Sequence, residues 1–519
     1  MVMVLPRPIK LDYLDMWVDE SIWGHRLYDE QTPWMCMLEF MNVLESELKN
    51  NRAFIESAFN TLQYSPRSAL YLRNILFNNP RMLAILQQSQ DNEYRWNRWF
   101  EVMAESTSNT GLPASNFQYL KDRFIEFSDF AKVVDFLRST AIEGNSNKRW
   151  SSKFVFPYGP SCLYEDLNVK GGGQHTNDRR FFARTGEILY LMLTRSGEGA
   201  ELLSYLKPLI LDSNAKWNRL VATLQPKGDI AVSTRSGGYL PHERLDDYKN
   251  LADDWLNILR CRMPGYDALP HLASLAGLHL IIYFLNRSRE VLELSGSASF
   301  VLEIVSPKKT TIRDIAASSF IENNSLSMQA IEAHIQHLAT TEKWQDAKQS
   351  GDPRSAAVFL LGFHFAWPGK DKDKNEDIEG IGSPDVLLDR LCQAALTRHK
   401  QHVGKFHATW GKEIGLSSRR GSNRSRYVPT DALLKTLVLC TVDSRMEFQE
   451  FLSQLHRKYG FIIGDRQAKD LIASGNADKK AFFDNANRLE QRLASIGLLK
   501  RLSDACAYVE NPFFAGVSR

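Results

Sequence analysis

The side chains best placed for chemistry in this sequence gather near its end. Arg488, Gln491, Arg492 and Ser495 recur at three- and four-residue spacing, so a helix over 482–496 puts them on one face while Leu489, Leu493 and Ile496 turn inward. Arginine and glutamine on one exposed face suit phosphate oxygens and base edges in a major groove. The following stretch, 497–509, reads as two short apolar strands split at Ser503-Asp504 and stopped by Asn511-Pro512, with Lys500 and Arg501 placed to reach a flanking phosphate. Upstream, the basic linker 417–426 adds Arg419, Arg420, Arg424 and Arg426. Each phosphate these neutralise would release counterions and strengthen binding at low salt. The competing reading is that the same arginines only solvate a protein-binding adaptor.

A second group surrounds three consecutive glycines, Lys170-Gly171-Gly172-Gly173, and continues through Arg179, Arg180 and Arg184 to a helix expected from Glu187. Glycine lets backbone amides approach an anion, and a helix start adds a favourable dipole. Lys170, Gly172, Arg179, Arg180 and Arg184 are therefore candidate anion contacts, against the alternative of a surface loop. The stretch is not G-x-x-x-x-G-K-[ST] and lacks a preceding apolar strand, which excludes the usual nucleotide-triphosphate loop. Arg235, beside Gly237 and Gly238, sits in a similar loop.

Other constellations fall short. His399, His402 and His407, with His364 upstream, complete no zinc signature, and His399 and His402 are expected to face solvent; His334 and His337 are read the same way. Glu303 and Lys308 have the wrong spacing for a nuclease, and no G-x-S-x-G turn marks a hydrolase. No catalytic residue, metal ligand or cofactor is nominated. The cluster Arg95-Trp-Asn-Arg-Trp-Phe100 has stacking residues for bases, but its helical spacing assigns it to a core.

The elements that must position these residues are helical. Apolar residues recur at three- and four-residue intervals from 34 to 137, and Tyr64-Ser65-Pro66 and Asn78-Asn79-Pro80 interrupt them. Helices are expected at 187–193, 200–211, 245–259 and around Leu280, joined by loops at 171–177 and 226–241. A short strand is expected at 300–305. Ile312–Phe320 and Ser327–Leu338 read as two helices across a polar turn, either a helix-turn-helix or two packed helices. Three further helices are expected at 431–440, 447–459 and 482–496. The fold class is thus mainly α, multi-domain, with a C-terminal winged-helix-like module. Its segments are an N-terminal helical domain (1–145), a central one (153–295), a helix-turn-helix-like segment (300–370), a charged linker and helix (371–427) and the module itself (428–519).

Composition fits an ordinary globular protein, with 43% hydrophobic and 24% charged residues. A net charge of +3 leaves any nucleic-acid surface a local patch. Six scattered cysteines form no C-x-x-C pair and read as reduced thiols. The first fourteen residues lack a signal peptide's apolar stretch, and 269–285 is too interrupted to span a membrane, so a cytoplasmic protein with no membrane contact is expected.

At residues 181–193 and 497–513 the chain resembles uncharacterised accessory proteins encoded in bacterial anti-phage defence gene clusters. The resemblance implies a subunit of a multi-protein, DNA-directed assembly whose ATPase or nuclease activity resides in partner chains, and it transfers no catalytic residue. The combined expectation is a non-enzymatic scaffold contacting duplex DNA through the C-terminal module. The alternatives are an adaptor without DNA contact, or a divergent nuclease.

Overall fold

The computed structural model describes residues 5, 18–25, 27–55, 62–65, 70–77, 82–88, 90–107, 114–139, 141–142, 154–155, 159–163, 167–170, 174–177, 184–226, 235–236, 238–305, 310–368, 382–419, 424–475, 477–503 and 506–513. These are mainly helical, with short strands paired mostly in twos. The break expected at 78–80 and the start of the charged linker, 371–381, lie outside the described residues. The chain forms two compact units, one of residues 1–33, 191–202 and 238–519, the other of residues 34–190 and 203–237.

In the unit of 34–190 and 203–237, rings make the core. Trp96 and Trp99 are buried on the Asn92–Thr107 helix. Trp96 meets Phe127 edge-on at 5.1 Å and Trp99 meets Phe130 at 5.0 Å, both phenylalanines lying on the Phe127–Ser139 helix. Helical spacing was thus a sound guide: these aromatics are core. The loop expected at 171–177 is strand over its described part, because Gln174–Asn177 pairs antiparallel with Leu167–Lys170.

The other unit is built on two long helices. Gly265–Val291 is longer than its sequence suggested, and by length and composition it could cross a membrane; 83% of its apolar window is buried inside the protein. Thr311–Ala339 is one continuous helix, which overturns the helix-turn-helix reading of 312–338. The polar stretch Glu322–Ser325 contains neither glycine nor proline, and asparagine costs a helix interior under ~1 kcal/mol. Asn323 is buried, and its carboxamide donates to the Ser299 carbonyl and the Tyr427 hydroxyl, both at 2.9 Å. Packing of the amide keeps the helix unbroken where its sequence resembles a turn.

Phe300–Val301 forms the expected strand but pairs in parallel with Phe461–Ile462. Asn485, fully buried, locks this junction: its carboxamide donates to the carbonyls of Leu302 and Ile463 and accepts from the Ile304 amide, each at 2.9 Å. Val301, Ile312, Ala316, Ile462, Ala468 and Phe482 close a small apolar core around it. Gly460 ends the preceding helix at φ 71°, and a Cβ there would come within 2.1 Å of the Ala298 carbonyl, so only glycine fits.

Candidate nucleic-acid interface

Three capped helices and a three-stranded sheet frame the C-terminal region, with the strand Phe461–Ile462 and the short helix Lys469–Ala473 between its second and third helices. Thr430 accepts from the Leu433 amide at the start of Asp431–Thr441, Glu447 from the Glu450 amide at the start of Phe448–Tyr459, and Asp478 from the Lys480 amide at the start of Lys479–Ser495. Each cap satisfies an amide the helix cannot. The expected hairpin is present, Leu499–Ser503 against Cys506–Glu510. Sequence reasoning missed a third strand, Arg445–Glu447, which pairs with Cys506–Glu510 on its other side. Three residues are too few to show alternation, so periodicity carried no signal for it.

The third helix turns Phe482, Asn485, Ala486, Leu489 and Leu493 inward. Gln491 is exposed and Arg488 half-buried, while Ile496 is half-buried rather than core. Arg488 Nε has no hydrogen-bond partner among the described residues. Arg492 is not free for a phosphate: its Nε lies 2.5 Å from Asp431. Arg501, exposed on the hairpin, pairs with Glu490 at 3.3 Å. Lys500 is exposed, as are Lys479 and Lys480 on the first turn of the helix, two cations the sequence reading passed over.

In the basic linker, Arg419 and Arg424 are exposed and Arg420 lies outside the described residues. Arg426 is a correction. It sits in the buried strand Arg426–Tyr427, which pairs with Ser417–Ser418, and its guanidinium is bonded to the buried Glu303 carboxylate. A pair buried this way is internal, so Arg426 is removed as a phosphate contact; Lys308 is outside the described residues.

The anion group also changes. Gly171, Gly172, Gly173, Arg179 and Arg180 lie outside the described residues, as do Gly237 and the side chains of Lys170 and Arg235. Arg184 is buried, at φ 74°, and its guanidinium bonds Glu187 at 2.6 Å. Glu187 also accepts from the Tyr64 hydroxyl at 2.7 Å, and Glu39 accepts from the Arg184 and Gly186 amides. A guanidinium held inside this cluster is not a surface anion contact.

The histidines are mostly interior, against the expected solvent face for His399. His399 is fully buried: Nδ1 faces Asp19 at 2.8 Å and Nε2 faces the Ser327 hydroxyl at 3.0 Å, with the Trp23 ring stacked on it. This is the connectivity of a hydrolase triad. It is sealed from solvent, and Ser327 lies inside the Thr311–Ala339 helix, whose amides are spent on their own ladder and leave no oxyanion cradle. The string therefore pins the Val18–Trp23 helix to two others. His407 bonds the Tyr427 hydroxyl at 2.7 Å, and burial pushes it down to about 3. Burial likewise lowers His334 to about 4, with the neighbouring His337 and His364 adding to the shift. His402 packs beside Tyr28. Among the described residues no group of three or more histidine, cysteine or carboxylate side chains could hold a metal.

One buried network went unseen in the sequence. Asp254 accepts from Lys458 at 2.5 Å and from the Tyr459 hydroxyl at 2.7 Å, and faces His279 Nε2 at 2.7 Å. Burial pushes this carboxyl up, but the bonds from His279 and Lys458 hold it below the usual carboxylate range. Its four members are scattered over 205 residues of sequence, and nothing local couples them.

Residues 383–511 match the family model of methylation-associated defense system protein MAD7. The matched stretch takes in most of residues 497–513, on which a likeness to anti-phage defence proteins was read, and it excludes 181–193. No curated protein and no solved structure matches the chain.

Proposed function

We propose that this protein is a non-enzymatic subunit of a bacterial anti-phage defence assembly and that it contacts duplex DNA through its C-terminal region. The observation carrying the proposal is the order of elements there: helix, short strand, helix, helix, then a hairpin whose second strand pairs with the first short strand, with the strand Phe461–Ile462 and the short helix Lys469–Ala473 inserted between the second and third of these helices. That is the order of a winged helix, which lays its third helix in a major groove and its hairpin against flanking backbone. Lys479, Lys480, Arg488 and Gln491 on the third helix and Lys500 on the hairpin are the contacts, with Arg419 and Arg424 beside them. The family match supports a role in defence, and its name associates that system with methylation. Partner proteins supply whatever ATPase or nuclease activity the assembly has.

Fluorescence anisotropy of the whole protein with a random labelled duplex tests this. Binding at low salt should weaken steeply as salt rises. Lys480→Glu/Arg488→Glu/Lys500→Glu should lower affinity at least tenfold and flatten the salt slope. Unchanged affinity in that variant would sink the proposal. A second reading, a protein adaptor, draws on the ion pairs that occupy Arg492 and Arg501. A stoichiometric partner that stays bound at high salt and excludes DNA would favour it.

A further inference from the structure

We infer that Asn487 and Gln491 read adenine on the major-groove edge of the duplex, an inference that rests on the DNA reading above. The two carboxamides lie one turn apart on the Lys479–Ser495 helix and line a single cleft with Phe448, Gln449, Phe483 and Arg501. Neither carboxamide is bonded to another described residue. The charged groups of the cleft are already engaged: Glu490 pairs with Arg501, and Glu447 caps its own helix. What the cleft leaves open to a ligand is therefore amide donors and acceptors beside an aromatic ring.

Asparagine and glutamine match one base edge best. The side-chain oxygen accepts from adenine N6–H while the side-chain NH2 donates to N7, and guanine, with O6 and N7 both acceptors, cannot supply the donor. Phe483, 55% exposed one turn before Asn487, adds an apolar contact for a thymine methyl. The basic residues hold the helix on the backbone, and the carboxamides choose the step. The same geometry makes the reading sensitive to substitution at N6. In a paired N6-methyladenine the remaining N–H faces thymine and the methyl group occupies the edge beside N7, so the carboxamide loses its donor and meets a methyl instead.

The test is selection of duplexes from a random pool with the whole protein, followed by titration of the enriched duplex, of the same duplex with N6-methyladenine, and of one with guanine replacing the enriched adenine. Enrichment of a fixed adenine, with roughly tenfold weaker binding on either replacement, is expected. Asn487→Ala should lose most of the difference between the three duplexes while keeping the salt-dependent affinity for random DNA, which also shows that it is folded. Random-DNA binding with no adenine enriched, or a preference that survives in the variant, overturns this inference and leaves the DNA reading standing. Absence of binding to any duplex at low salt overturns both.

Discussion

Two regions of the molecule, the ring cluster on the Asn92–Thr107 helix and the unit containing 238–519, keep their interiors together by different means. Around Trp96 and Trp99 the contacts are ring against ring, among Phe117, Phe127 and Phe130, whereas the ionisable cluster of Glu39, Tyr64, Arg184 and Glu187 lies elsewhere in the same unit. In the unit containing 238–519, the interior is threaded by groups that ionise or donate: Asp254 with His279, Lys458 and Tyr459, Asp19 with His399 and Ser327, Glu303 with Arg426, and His407 with Tyr427. Apolar packing is forgiving in geometry and indifferent to pH. A buried hydrogen-bonded string tolerates neither a missing member nor an added proton. Eleven of the chain's twelve histidines belong to the unit containing 238–519, five of them buried, and His175 belongs to the other.

Acid should break this comparison open most widely. His242, His271 and His334 are pushed down to about 4 and His407 to about 3, chiefly by burial, whereas an unfolded histidine titrates near ~6.5. Between those limits the unfolded chain binds protons that the fold excludes. Stability is therefore full above pH ~6.5 and falls as pH drops toward 4, by at most about 1.4 kcal/mol per pH unit for each histidine. Asp29 and Asp247, both raised by burial, act in the opposite sense and return part of the loss as they protonate. Hydrogen exchange at pH 7 and pH 5 should show faster opening in the histidine-rich unit, with little change around Trp99. Equal acceleration in both would erase the contrast.

Near-isosteric substitutions sharpen it further. Asp254→Asn keeps the shape but removes the charge that Lys458 and His279 face, and should cost about 3 kcal/mol, read from the urea midpoint. Trp99→Phe, an equally modest change of shape in the ring cluster, should cost about 1–2 kcal/mol. If the order of these two is reversed, the polar string is not what holds its unit. The smallest effect, about 1 kcal/mol, is expected for Thr430→Ala, which deletes a cap at a helix start and leaves both interiors intact.

Much of the helical framework was readable because amphipathic spacing is a local property. The C-terminal helices and hairpin fell within a few residues of their expected places, and Trp96 and Trp99 were placed in a core from periodicity alone. The failures share a cause. Glu322–Ser325 looks like a turn until Tyr427 and Ser299, distant in sequence, supply partners for Asn323. Arg426, Arg184 and Arg492 look like phosphate contacts until Glu303, Glu187 and Asp431 are brought beside them. A sequence shows which residues carry charge, but only the fold shows which of those charges are already spent. Of the residues proposed as DNA contacts, Gln491, Lys500, Arg419 and Arg424 were nominated from the sequence and are exposed in the fold, whereas Lys480 and Asn487 were not nominated.

The Asn485 lock has a bearing on how such a chain can be divided. Of the three backbone groups it holds, those of Leu302 and Ile304 lie outside 383–511, as does the strand that pairs with Phe461. The family match and the fold thus draw different borders through the same polypeptide. The matched stretch starts at the Pro384–His402 helix, while the contacts that hold it reach back to the strand at residue 300 and to Asp254. A graft of the C-terminal stretch onto another protein would arrive with an open seam, and the host would have to furnish a strand and two peptide groups to close it.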